Sequence, residues 1–386
     1  MEKASGGRLF QQSALHFALF VSSRKILEEM KRIVPQTIIL LLSLVAACFV
    51  SCEKPEPQEE PQNTPVTPVA HGVYVLSEGI MNYNNSSLSF YDFSTGTVSP
   101  DVFLAANNRG LGDTGNDLKA YGSKLYCVVN ISETVEIMDL HTAKSLKQIT
   151  MPGKQPRRIT FDGGYAYVCC FDGGVVKIDT ATMEVTATAQ AGSNPDGICV
   201  ANGKLYVANS GGLNYPNYGN TVTVFDLATF SPIKNITVVI NPTRIAADSQ
   251  GDVYLVSNGN YGDVPMTFQR IDSQTDEVVQ TFDFAVTNFA ISGSLCYLYN
   301  YNYSTQQSSI KVLDVTTEQI VKEQFITDGT VLTTPYGIAV DPSNGDVYLT
   351  DAYQYTTNGD VFCFSADGRL RFQFEAGVSP SCIVFK

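Results

Sequence analysis

Residues 195–240 read PDGICVANGKLYVANSGGLNYPNYGNTVTVFDLATFSPIKNITVVI, and this stretch decides the fold. Pro195 to Val200 is a short apolar strand, A. Asn202-Gly203 is the dipeptide of a two-residue hairpin turn. Lys204 to Asn209 returns as strand B and carries Tyr206. A polar loop from Ser210 to Asn220 follows. Thr221 to Phe225 alternates as half-buried strands do and is strand C. Asp226-Leu227-Ala228-Thr229 makes a turn, and Pro232 to Val239 is the outer strand, D. Four antiparallel strands in succession form one blade.

The unit recurs. Tyr74, Tyr126, Tyr167, Tyr206, Tyr254, Tyr297 and Tyr348 each sit in a B-type strand such as GVYVLS, KLYCVV or DVYLTD. Their spacings are 52, 41, 39, 48, 43 and 51 residues, the period of four-stranded propeller blades. The C–D turn repeats independently as Asp-x-x-Thr at Asp92, Asp139, Asp179, Asp226, Asp272 and Asp314. An Asp at this position accepts backbone amides two residues on, so a metal or catalytic role is not needed to explain it. The seventh turn departs, with Ser365-Ala366-Asp367-Gly368. The chain enters the repeat at strand B, Gly72 to Ser77, and leaves on an extra strand A, Ser381 to Phe385. The expected fold is therefore all-β: a seven-bladed β-propeller of four-stranded blades over 72–386, closed by the C-terminal strand completing the N-terminal blade.

Residues 1–29 read as lying outside the native product, with Met30-Lys31-Arg32 a better start. The basic start and the apolar run to Val50 form an export signal over 30–51. Val45-Ala46-Ala47-Cys48 and Phe49-Val50-Ser51-Cys52 both fit a lipoprotein cleavage site. Cys52 is favoured for acylation and Cys48 is the alternative, because Glu53-Lys54-Pro55-Glu56 begins a solvated tether directly after Cys52. Residues 52–71, rich in Pro and Glu, would hold the body away from a membrane it touches only through lipid. The chain carries 25 Lys+Arg against 38 Asp+Glu, a net charge of −13, which argues against nucleic acid. Beyond Cys52 lie seven cysteines, an odd number without a C-x-x-C pair, which read as buried free thiols.

In such a blade the A–B and C–D turns share one face, and the B–C and D–A loops share the other. The first set is short. The B–C connections vary, from 12 residues between Tyr167 and Asp179 to 20 between Tyr206 and Asp226, as recognition loops do. Eight tyrosines lie there: Tyr83, Tyr215, Tyr218, Tyr261, Tyr301, Tyr303, Tyr353 and Tyr355, among Asn, Gly, Ser and Gln. Tyr gives wide contact at low entropic cost, the composition of a binding surface. The A-strand starts add Asn116, Arg157, Asp196, Thr243, Thr287, Tyr336 and Ser381, followed by Asp117, Arg158, Gly197, Arg244, Asn288, Gly337 and Cys382. These polar groups are expected to converge on the mouth of a central channel, the default site for a small-molecule ligand. No catalytic or metal-binding residue is assigned. His16 precedes the lipid site, His71 ends the tether and His141 lies in a C–D turn, and the sequence shows no nucleophile–base pair.

The seven repeats, the Pro-x-Gly-Ile strand starts, the LYVAN-type strands and the VxVxD strands together resemble YncE-like seven-bladed propellers over essentially all of 72–386. The chain has no Trp, which sets it apart from WD40 repeats. VYVLSEGIMNYNNSSLSFYDFSTG and GLGDTGNDLKAYGSKLYCVVN are similar to a subgroup of surface lipoproteins of Gram-negative gut bacteria, some of which capture vitamin B12. That resemblance implies an outer-membrane, cell-surface location, a corrinoid as bound ligand, no covalent cofactor, and a TonB-dependent outer-membrane transporter as partner. A glycan or peptide ligand, or an adhesive role without a small ligand, is the alternative.

Overall fold

The computed structural model describes residues 71–386. Residues 1–29, the signal at 30–51, Cys48, Cys52 and the tether as far as residue 70 lie outside the described residues. His71 belongs to the propeller rather than to the tether. Its amide donates to the Lys386 carbonyl, and its own carbonyl accepts from Phe93 N at 3.1 Å.

The described residues form seven four-stranded antiparallel sheets. Six are built in sequence order, spanning 115–150, 156–190, 195–237, 242–282, 288–322 and 335–378 (blades 2 to 7). Blade 1 is completed from the far end of the chain, in the order Pro380–Phe385, Gly72–Ser77, Ser87–Asp92, Thr97–Ser99. The clasp is in register, Tyr74 opposite Val384 and Val75 opposite Ile383. Within the type blade, Cys199 faces Tyr206 and Tyr206 faces Val224. Asn202 and Gly203 both take positive φ, 46° and 72°, as the tight hairpin demands. Strand D of this blade is Ser231–Thr237, shorter at its end than expected.

The sequence pattern did not suggest a helix, yet α1 (Val102–Asn107) follows the three-residue strand D of blade 1. Asp101 caps it by accepting Leu104 N, Asn108 closes it in the left-handed region, and Phe103 is fully buried beneath it. The helix packs where a longer strand D lies in other blades.

Seven apolar clusters hold the ring, one between each pair of neighbouring blades. Each strand-B tyrosine belongs to the cluster shared with the next blade. Tyr74 packs toward blade 2, Tyr206 toward blade 5, and Tyr348 across the closure toward blade 1. Several reach polar groups of the next C–D turn. Tyr74 donates to the Leu140 carbonyl at 2.8 Å, Tyr206 to Asp276 Oδ1 at 2.6 Å, and Tyr254 to the Val315 carbonyl at 3.3 Å. The Tyr126 hydroxyl, by contrast, is buried without a partner among the described residues.

The Asp-x-x-Thr turns are as expected. Asp139 Oδ1 accepts from His141 N, Thr142 N and Thr142 Oγ1, and Asp179 and Asp314 repeat the backbone part of the pattern. All seven cysteines of the described residues are free, and Cys169 and Cys170 project into different inter-blade clusters. The Pro-x-Gly-Ile glycine also has a physical cause. A Cβ on Gly197 would stand 2.1 Å from the Thr243 carbonyl oxygen, and one on Gly337 would stand 2.6 Å from that of Ser381. Neighbouring A strands approach too closely at these points for a side chain.

Three measurements check this account. Tyr206→Phe removes a buried donor from Asp276 and should cost roughly 1.5–3 kcal/mol in urea denaturation. Gly197→Ala should cost about 2 kcal/mol or more by the same measurement, since backbone rather than a side-chain tip must yield. Deleting 381–386 strips the clasp strand and its Ile, Val and Phe. It should cost on the order of 5 kcal/mol, and a truncated chain that melts with the full one would disprove the closure.

Candidate functional site

The B–C and D–A loops meet on one face. Ser210 Oγ, in a B–C loop, donates to the carbonyl of Asn194 in a D–A loop at 2.7 Å, and Asn241 Nδ2 donates to Tyr261 Oη at 3.4 Å. Tyr336, at an A-strand start, lies 5.3 Å from the Tyr355 ring. Both histidines of the described residues, His71 and His141, sit at the opposite face beside Lys386.

The eight loop tyrosines share this face but do not form one continuous rim. Tyr215, Tyr218 and Tyr261 form a group across blades 4 and 5, with edge-on ring centroids 6.1 and 6.0 Å apart. Tyr301, Tyr303, Tyr355 and Tyr336 form a second group across blades 6 and 7, linked by a 4.8 Å Tyr301–Tyr303 contact and a 3.5 Å Tyr303–Tyr355 hydroxyl pair. Tyr83 stands apart in blade 1, 71% exposed, on a loop whose Asn82 and Asn84 amides both donate to Asp113. Tyr353 is turned back into its own blade and donates to Asp360 Oδ2 at 2.5 Å.

Tyr301 is a correction. It is not a loop residue but part of strand B of blade 6, Leu295–Asn302, and is 7% exposed. Alternation through Tyr297, Tyr299 and Tyr301 extends that strand to eight residues, paired as far as Asn302 with Gln307. Tyr301 therefore supports the exposed Tyr303 from below.

Three of these tyrosines hold left-handed backbone: Tyr261 at φ 58°, Tyr353 at 48° and Tyr355 at 61°. Gly or Asn is the usual occupant of such positions, and a bulky side chain there is held at a cost of roughly 1–2 kcal/mol.

Below the aromatic groups lies a hydrogen-bonded belt. Arg157 Nε and Nη2 donate to Asp196 Oδ1 at 3.1 and 2.9 Å, and its Nη1 donates to Asn116 Oδ1. Asn116 Nδ2 reaches Glu78 at 3.4 Å, and Tyr336 donates to the other Glu78 oxygen at 2.9 Å. Asn288 Nδ2 donates to the Tyr336 carbonyl at 3.3 Å. Thr243 and Thr287 turn instead to their own blades. Thr243 Oγ1 faces the Val256 carbonyl, and Thr287 Oγ1 accepts the Tyr301 amide.

Burial works against the Asp196 charge, but Arg157, Arg158 and Arg244 outweigh it and hold the carboxyl below its ordinary range. Burial first, and Glu78 second, push the Tyr336 hydroxyl well above its usual range, so it stays a donor. Asp196 is thus an ionised, paired carboxylate that orients its neighbours.

The belt opens into a central cavity of about 500 Å³, walled by the residues one step along each A strand, among them Asp117, Arg158, Gly197, Arg244, Asn288 and Cys382. Glu78 is the member that sequence reasoning missed. It follows strand B rather than opening strand A, and its only signal was an acidic residue directly after GVYVLS. Asp351, the last residue of strand B of blade 7, likewise escaped because it does not open an A strand. It accepts the Thr334 and Tyr353 amides at 2.9 Å each.

This face can therefore offer flat aromatic contact at its rim and fixed amide, hydroxyl and guanidinium donors within. Among the described residues, no group of three or more His, Cys, Asp or Glu is placed to hold a metal ion.

Solved structures share the architecture at low identity. A quinonprotein alcohol dehydrogenase-like protein from Bacteroides thetaiotaomicron is 17% identical, with a TM-score of 0.62 over 82% of this chain and 78% of that one. Hydrazine synthase of Kuenenia stuttgartiensis is 17% identical, with a TM-score of 0.56 over 67% of this chain and 85% of that one. The computationally designed Ika8 protein is 15% identical, with a TM-score of 0.52 over 80% and 89%. At such identities the likeness is one of fold alone. No curated protein matches this chain. The domain of unknown function DUF5074 matches residues 71–376, the propeller almost to its closing strand, and the chain belongs to that family.

Proposed function

We propose that this protein is a non-enzymatic, ligand-binding lipoprotein of the outer-membrane surface. It captures a corrinoid on the tyrosine-bearing face and passes it to a TonB-dependent transporter. The observation that carries the binding reading is the backbone strain at the rim. Tyr261 is 70% exposed and left-handed, where folding alone favours Gly. Within the fold this ring meets Asn241 and the Tyr218 ring, and its exposed remainder, kept there against local preference, is set to meet a ligand.

The corrinoid is the ligand that fits the surface chemistry and the resemblance in the repeats. Its ring is broad and apolar on its faces and is fringed with amides and a phosphate. Tyr215 and Tyr303, 76% and 62% exposed, offer ring faces on the two aromatic groups. The belt of Asn116, Arg157, Asn288 and Tyr336 offers donors and acceptors to the fringe. Burying roughly 400 Å² of apolar area contributes on the order of 10 kcal/mol before association costs. An axial protein ligand to cobalt is not required. The lipid at Cys52 or Cys48, the tether and the transporter belong to the same proposal and rest on the sequence.

Isothermal titration with cyanocobalamin tests it, with a triple variant Tyr215→Ala, Tyr261→Gly, Tyr303→Ala alongside. Wild type should release or absorb heat and shift the corrinoid spectrum at micromolar protein. The variant should lose at least about tenfold in affinity, while its thermal midpoint stays level or rises because the strain at position 261 is relieved. Absence of heat and of a spectral change with wild type would end the corrinoid reading.

A further inference from the structure

The central channel holds guanidinium groups whose hydrogen-bonding capacity the fold leaves largely unused. Arg158 is 8% exposed, yet only its Nη1 is engaged, with the Asn116 carbonyl, and its Nε is buried without a partner. Arg244 stands on the same wall, and no hydrogen bond or ion pair to it is found among the described residues. Burial works against the Arg158 charge, but Asp117 first, then Asp196 and Glu78, outweigh it, while the hydrogen bonds of these carboxylates go elsewhere. Asp117 accepts the Leu118 and Ile159 amides at 3.1 and 2.9 Å, and Asp196 is taken by Arg157 at 2.9 Å. Burial, and then the Arg158 charge, push the Arg244 guanidinium below its ordinary range.

Two guanidiniums facing one cavity repel each other, and buried N–H groups of this kind are normally satisfied. Hydrogen bonding within the fold accounts for Nη1 of Arg158, and the Arg244 side chain adds only its charge, near Asp196. Both side chains line a space of about 500 Å³, room enough for a ligand group.

We propose that Arg158 and Arg244 form an oxoanion site in the channel wall, for a phosphate or carboxylate group. The fork of a guanidinium matches the paired oxygens of either anion. On the cavity wall Lys119, Arg158 and Arg244 outnumber Asp117, so the site favours an anion inside a chain of net charge −13. A low-dielectric wall strengthens that selection. The inference is independent of the corrinoid. It concerns the channel below the rim and holds for any guest, or part of a guest, that presents an oxoanion there.

The probe is inorganic phosphate, with acetate as the second arm, titrated calorimetrically at constant ionic strength set by sodium chloride. Wild type should bind at least one of the two. Phosphate alone would point to a phosphate-bearing ligand, and acetate as well would point to carboxylates. Arg244→Gln should weaken binding roughly tenfold or more, as loss of a charged hydrogen-bonding partner does. Its thermal midpoint without ligand should change little, since the Arg244 side chain makes no hydrogen bond among the described residues and loss of its attraction to Asp196 is offset by loss of its repulsion with Arg158. Arg244→Lys should fall between the two in affinity. No heat from either anion with wild type up to ~10 mM, the weak end of specific binding, would overturn the site. Equal binding by wild type and Arg244→Gln would overturn it as well.

Discussion

A tyrosine on the second strand of every blade, reaching across to the next blade, is the contact on which the ring depends. Each B strand is among the most buried stretches of its sheet, and its tyrosine fills the gap between twisted sheets that splay outward from the channel. The ring supplies the apolar area, and in several blades the hydroxyl ties the next C–D turn. Because the same contact recurs seven times, each sheet is stabilised chiefly by its two neighbours, as in other repeat architectures. The last interface has no sequence neighbour to form it, so the clasp of Pro380–Phe385 on Gly72–Ser77 closes what the chain order leaves open.

This arrangement separates two jobs. The turns that terminate C strands are local devices, in which an Asp holds its own amides. They make one face regular. The opposite face is freed from that duty, so its loops vary in length and carry aromatic side chains on strained backbone. Beneath them, close approach of the A strands leaves no room for a side chain where Gly197 and Gly337 stand, and longer polar side chains fill the rest of the belt.

Much of the site was legible in part. The aligned A-strand starts identified Asn116, Arg157, Asp196, Arg244, Asn288 and Tyr336, because a propeller brings equivalent positions to one axis. What alignment did not supply was which of them bond to each other and which are left over. Asp196 is spent on Arg157 and Thr287 on the Tyr301 amide, while the Arg244 side chain makes no hydrogen bond among the described residues. Glu78 joins the belt from a different strand, so no comparison of A strands could find it. Tyr301 was misplaced because two further ladder pairs extend its strand into what looked like loop composition.

Periodicity alone therefore determined the blade, the number of blades, the phase of closure and the face that bears the tyrosines. Each of these follows from local patterns, with a period of two along strands and Asn-Gly or Asp-x-x-Thr at turns. The grouping of the rim into two aromatic clusters, the satisfied belt and the unpartnered guanidiniums in the channel were decided only by tertiary structure. They depend on distances between residues up to 258 positions apart, which are set by the curvature of the whole ring rather than by any local preference.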